Sequence, residues 1–264
     1  PYYPRGRNQK QGGAMAWPRL LTKENLEQWH RSGLLTGETF FDYLKKDAEL
    51  FYYKKIIEEH HLPISRKTFE HDFLSLSSEE CLGKYPALLP YKWSWSWLET
   101  PLTYQDESFA EASRAFIEGQ IKEAEKGNCT GALTSTFDAL KDWRDPIRQA
   151  IEWHVFSAKE YKEILWGWFT HLNSFLTIGP PVIRTKELAA LIDAGIFHLI
   201  EPPLDIQQKQ NRYVISLQDK EISSLYLIEA RLPQTSFSHS SNPVIKNLKE
   251  NKLVRPFSFS DNTG

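Results

Sequence analysis

Gly179-Pro180-Pro181 constrains the fold of this chain more than any other stretch. Two consecutive prolines lack backbone N–H groups and clash with a preceding helical turn, so no helix runs through them. Upstream, apolar residues recur at helical spacing from Thr22 to Ile178. Downstream, a proline suits a first helical turn, so a new helix is expected from about Pro181, with Leu188, Leu191 and Ile192 on one side. Gly195 stands where a helix-ending glycine belongs. Beyond it the apolar period shortens to that of strands, predicted at Phe197–Ile200, Arg212–Ser216 and Ser224–Ile228. The expected fold class is therefore α+β, a predominantly helical domain followed by a small β-meander.

The upstream part reads as consecutive helices. Thr22 caps a first helix that Gly33 ends, and Thr36 or Thr39 opens a longer one running to His60-His61. Further helices are expected from Ser65 to about Leu76, from Ser77, from Phe109 to Gly127, from Ala132 to Trp153 and from Ala158 to Ile178. Asp145-Pro146 should interrupt the fourth of these. A last helix should start at Ser241-Asn242-Pro243. Trp93, Trp95 and Trp97 alternate with serines. In a strand their rings would share a face; an aromatic loop pinned to the helices is the other reading, with packing favoured over ligand stacking. Residues 1–21 form a Pro-, Gly- and Arg-rich basic arm, residues 22–178 the helical domain, and residues 179–264 a helix, the meander and a terminal helix.

Composition narrows function mainly by exclusion. A formal net charge of −2 gives no general pull toward nucleic acid or acidic membranes. No apolar run approaches the ~18 residues of a membrane helix. Cys81 and Cys129 offer neither metal-ligand spacing nor a disulfide framework, so the reducing cytoplasm is the expected location. Adjacent His60 and His61 would point about 100° apart on a helix, so no metal site is expected. The phosphate-cradling G-x-G-x-x-G turn is absent, as are a Walker A sequence, C-x-x-C and H-E-x-x-H.

The run LNSFLTIGPP, followed by Arg184 and by ELAALIDAGIFHL, resembles the central part of a bacterial family of FAD/NAD(P)-binding proteins related to flavin-dependent monooxygenases. Asn173, Gly179, Pro180, Pro181, Arg184, Ala194 and Gly195 carry the match. The stretch EAEKGN, with GAL and ALKDWRDPIRQAIEW after it, extends the match, and SLYLIEARLP resembles the family's L-I-D-A-R-L-P strand with Glu229 in place of Asp. The resemblance implies an FAD- and NAD(P)H-dependent oxidoreductase of which this chain is a central fragment. The meander would return the chain to a Rossmann-like framework outside the fragment. The fragment would supply a helical substrate or cap region, and it is expected to be inactive and to bind no FAD alone. A helical protein-interaction or regulatory module without redox chemistry is the alternative.

Four residues are singled out. Arg184 and Arg231 are expected to flank a cleft and to meet a cofactor phosphate or an acidic substrate, because a guanidinium matches those groups in shape and charge. For each, a structural ion pair is the competing role. His171 and Asn173 precede the break at Gly179, where polar groups can line a cleft; they are the candidate substrate contacts, with helix capping as the alternative. The expected partners are a small-molecule substrate and dinucleotides in the intact protein.

Overall fold

The computed structural model describes residues 18–102, 104, 107–202, 204–217, 221–230, 237–238 and 240–256. Packing divides the chain into two units, one ending at Ile200 and the other starting at Glu201.

The first unit is built around α2, Gly37–Glu59. At 23 residues it is about 35 Å long. Phe40, Leu44, Ala48, Tyr53 and Ile56 are buried along it, on more than one side, which makes it the axis of the core. Its start is doubly fixed. Thr36 and Thr39 form a reciprocal capping box. Gly37 lies so close to Phe156 and Glu160 that a Cβ there would stand 2.7 Å from the Phe156 ring.

The other helices pack around this axis. They are α1 (Lys23–Arg31), α3 (Arg66–Ser75), α4 (Ser78–Lys84), α5 (Trp95–Glu99), α6 (Phe109–Thr130), α7 (Ala132–Asp142) and α8 (Arg144–Glu152). Next, α9 (Ala158–Glu160) passes into π-helical turns over Tyr161–Thr170 and then α10 (His171–Thr177). α11 (Val182–Asp193) follows the double proline. Side-chain caps at Thr22, Ser65, Ser77, Ser94, Ser108 and Ser157 set the starts of α1, α3, α4, α5, α6 and α9. The break expected at Asp145-Pro146 falls at Trp143 instead, because Pro146 sits in the first turn of α8, where its missing N–H is no loss.

Two junctions depend on buried polar contacts. Gly127, at φ 73°, kinks α6. Around it Lys55 Nζ donates to the Cys129 carbonyl at 2.8 Å, and Glu59 accepts from the Ala132 N–H at 2.7 Å. Burial pushes the Glu59 carboxyl upward, but Lys126 and the Ala132 N–H outweigh it and hold it below its ordinary value. The tryptophan run is a short helix, α5, so the shared strand face does not form. Trp93 is buried, the Trp95 indole donates to Glu49 at 2.8 Å, and Trp97 is exposed.

The second unit holds a three-stranded antiparallel sheet in the order β1 (Asp205–Lys209), β2 (Arg212–Ser216), β3 (Glu221–Ser224), and then α12 (Pro243–Glu250). The sheet matches the α+β expectation, but two of its predicted strands need correction. Phe197–Ile200 is not a strand. The N–H groups of Ile196 and Phe197 both donate to the Leu191 carbonyl, at 3.0 and 3.1 Å, and Gly195 has φ 68°. This stretch therefore caps α11, and those donors are no longer free for a ladder. The third strand lies earlier than Ser224–Ile228. Pairing Tyr213 with Ser224 leaves only Arg212 of β2 beyond it, and the Ser224 hydroxyl then bonds the Tyr226 N–H and carbonyl. β1 was not predicted because Asp205-Ile206-Gln207-Gln208-Lys209 has no apolar face; all five residues are exposed.

Candidate functional site

The bend at Ile178–Pro181 turns the chain from α10 into α11. His171 and Asn173 stand on α10 before it. Two residues apart on a helix, they point about 160° apart and do not converge on one ligand. His171 is exposed. Asn173 is half-buried, and its Oδ1 is fully shielded with no hydrogen-bond donor among the described residues. Arg184 is exposed in the first turn of α11, where its Nη1 donates to Glu187 Oε2 at 2.6 Å. That i,i+3 pair is the structural role already named as its alternative. Arg231 lies outside the described residues.

The seam between α6 and α11 is where unpaired polarity collects. An ion pair holds each end. Arg114 grips Asp193 in bidentate fashion, Nε to Oδ1 and Nη2 to Oδ2, both at 2.7 Å. Lys186 pairs with Glu125. The guanidinium hydrogen bonds hold the Asp193 carboxyl below its ordinary range. These pairs, 114 with 193 and 125 with 186, require the two helices to run antiparallel. Between them Ala124 and Ala189 are buried, and so are Gln120 and Thr185. Among the described residues neither Gln120 Oε1, Gln120 Nε2 nor Thr185 Oγ1 has a hydrogen-bond partner. Leaving a buried polar group unpaired costs about 1–3 kcal/mol, so such groups stand out from ordinary helix packing.

Sequence reasoning missed Gln120 and Thr185. The signal for Gln120 was available: it lies three residues after Ile117 and four before Ala124, within the apolar stripe of α6. Thr185 had no comparable signal, because threonine is common on half-exposed helix faces.

Asp47 is the other buried ionisable group of note. Its carboxylate accepts the N–H groups of Arg19, Leu20 and Leu21 at 2.8–3.0 Å, which ties the segment before α1 to the middle of α2. Burial pushes its pKa up to about 6, against the opposing pull of those donors. The cavity beside it, lined by Pro18, Arg19, Lys54 and Trp143 among others, has a volume of about 10 Å³. That admits at most one water, so this is an anchoring site and not a substrate pocket. Among the described residues, no group of three His, Cys, Asp or Glu side chains could hold a metal ion, and no helix is long and apolar enough to cross a membrane.

A dinucleotide pyrophosphate requires closely spaced backbone N–H groups at a strand–glycine-turn–helix junction. The described positive-φ glycines are Gly33, Gly127 and Gly195. Gly33 and Gly195 follow helix ends, Gly127 lies at a helix kink, and none joins a strand to a helix. The described residues do not fit that group.

No family model matches the chain. Individual proteins do. Over 266 residues it is 31% identical to an L-aspartate N-monooxygenase (nitrosuccinate-forming) of Streptomyces davaonensis, covering 94% of this chain and 41% of that protein. The chain is similar to L-aspartate N-monooxygenases. A second such enzyme, from Streptomyces cremeus, is 27% identical over 97% of this chain and 41% of its own length. A nitrosuccinic acid synthase of Aspergillus oryzae is 26% identical over 97% of this chain and 42% of its own length. The chain thus spans about two-fifths of the length of these curated relatives.

Proposed function

We propose that this chain is the helical region, with an attached β-meander, of a larger flavin-dependent monooxygenase that oxidises the amino group of L-aspartate or a close amino-dicarboxylate. The observation that carries the reading is the 31% identity to an L-aspartate N-monooxygenase over 94% of the chain. The resemblance around Gly179-Pro180-Pro181 lies within that matched region and points to the same chemistry. In this reading FAD and NAD(P)H are the cofactors, their pyrophosphates are held by polypeptide beyond this chain, and the protein works in the cytoplasm. Arg184 and Arg231 serve a cofactor phosphate or a substrate carboxylate, and one of His171 and Asn173, which point to opposite sides of α10, faces the substrate.

The test is to express a longer protein containing this chain. It should purify yellow, consume NAD(P)H when L-aspartate is added, and yield nitrosuccinate by mass spectrometry. A colourless protein that neither binds flavin nor oxidises NAD(P)H would instead identify a helical interaction module.

A further inference from the structure

The side of α11 turned away from α6 carries an exposed apolar strip. Ile183, Glu187, Ala190, Leu191 and Ala194 fall within an arc of about 100° on the helix. That arc lies opposite Thr185 and Ala189, which are buried against α6. Ile183 and Leu191 remain 54% and 41% exposed, and Ile196 and Phe197, just past the helix, are 72% and 43% exposed. A surface helix ordinarily turns charge toward water on this side. Here each charged side chain of α11 is already paired: Arg184 with Glu187, Lys186 with Glu125, and Asp193 with Arg114. The strip therefore carries no net charge, which suits an apolar neighbour.

We propose that this strip is an interface on which further polypeptide of the same protein packs, of the kind the relatives carry beyond the matched region. The inference rests on the reading that the chain is part of a longer monooxygenase-like protein, and two observations select this occupant. The matched region accounts for only 41–42% of each relative, so a protein built like them has further polypeptide in continuity with this region that can pack on it. The strip is also too small for a second copy. A 12-residue helix is about 18 Å long and offers a few hundred Å², against the roughly 800 Å² per partner of a stable association. A covalently continuous neighbour escapes most of the association entropy and needs no such area.

Thiol footprinting tests this. Ala190→Cys should react with a maleimide at the rate of an open thiol in the 264-residue chain and at least about tenfold more slowly in the longer protein. In parallel, Leu191→Glu should leave the melting temperature of the 264-residue chain unchanged and lower that of the longer protein. Equal labelling in both proteins overturns the proposal. So does slow labelling of the 264-residue chain accompanied by a dimer mass in light scattering, which would assign the strip to a second copy. Protection in a longer protein that fails to oxidise L-aspartate would uphold this interface while removing the catalytic reading, so the two fail separately.

Discussion

At Asp47 two effects oppose each other, and burial wins. Three backbone N–H groups favour the carboxylate, yet removal from water raises its pKa from 3.8 to about 6. An acid whose pKa is raised by folding binds its proton more tightly in the folded state. Its contribution to stability is therefore complete below about pH 4 and is lost as pH rises toward 6. The full difference amounts to about 3 kcal/mol at 1.36 kcal/mol per unit. Asp47→Ala should remove this slope, seen as a difference from wild type in urea melts between pH 4 and pH 6. Near pH 4, where that contribution is complete, the substitution should cost about 2 kcal/mol or more, because three N–H groups lose their acceptor. Gln120 poses the opposite case: a buried amide with no partner among the described residues. Gln120→Leu should raise the urea midpoint, by about 1–2 kcal/mol in stability, since it removes an unpaired polar group at similar volume. A lowered midpoint would mean that Gln120 has a partner, such as an internal water.

Elements were legible where caps and periodicity agreed. Thr36, Ser65, Ser77, Ser157 and Asn242 announce their helices in the sequence, and each caps one in the structure. Strands were less legible, because apolar β-branched runs do not say what their backbone will bond. Ile196-Phe197 reads as strand but completes the cap of α11, whereas the polar β1 pairs through a two-residue turn at Gln210-Asn211. Both turn residues have positive φ, 48° and 63°, the pattern of a tight hairpin, and Asn211 was the available clue. Arg184 and Asn173 could be picked out from the chain, but the α6–α11 pairing that isolates Gln120 and Thr185 is a tertiary fact. Two glycines separate the ways an element can depend on this residue. At Gly195 a Cβ meets nothing, and only its φ of 68° resists, so Gly195→Ala should cost about 1 kcal/mol. At Gly37 a Cβ would strike Phe156, so Gly37→Ala should cost about 2–3 kcal/mol in thermal or urea melts. The reverse order would show that the start of α2 can shift away from Phe156.

The whole chain can be tested against what seating a dinucleotide requires. A dinucleotide is held chiefly through its pyrophosphate, whose charge needs several backbone N–H groups at one helix start. In this chain the helix that follows the sharpest break, α11, starts after two prolines, which have no N–H to offer, and its N-cap Pro181 makes no side-chain bond. The three short strands form an antiparallel meander whose one fully described turn, Gln210-Asn211, leads to another strand. The long helices of the first unit spend their start donors on Ser and Thr caps. A titration of FAD into the 264-residue chain should therefore show no saturable binding at micromolar concentration, while a longer protein containing the chain should retain flavin through purification. Within that longer protein Arg231→Ala and Arg184→Ala should raise the KM for NAD(P)H or L-aspartate while leaving the circular dichroism unchanged. An unchanged KM with a lowered melting temperature would assign either arginine to an ion pair instead. Micromolar binding of FAD by the chain alone would mean that its pyrophosphate is seated without a glycine turn, and the arginines of this chain would then be the first groups to test as its counter-charge.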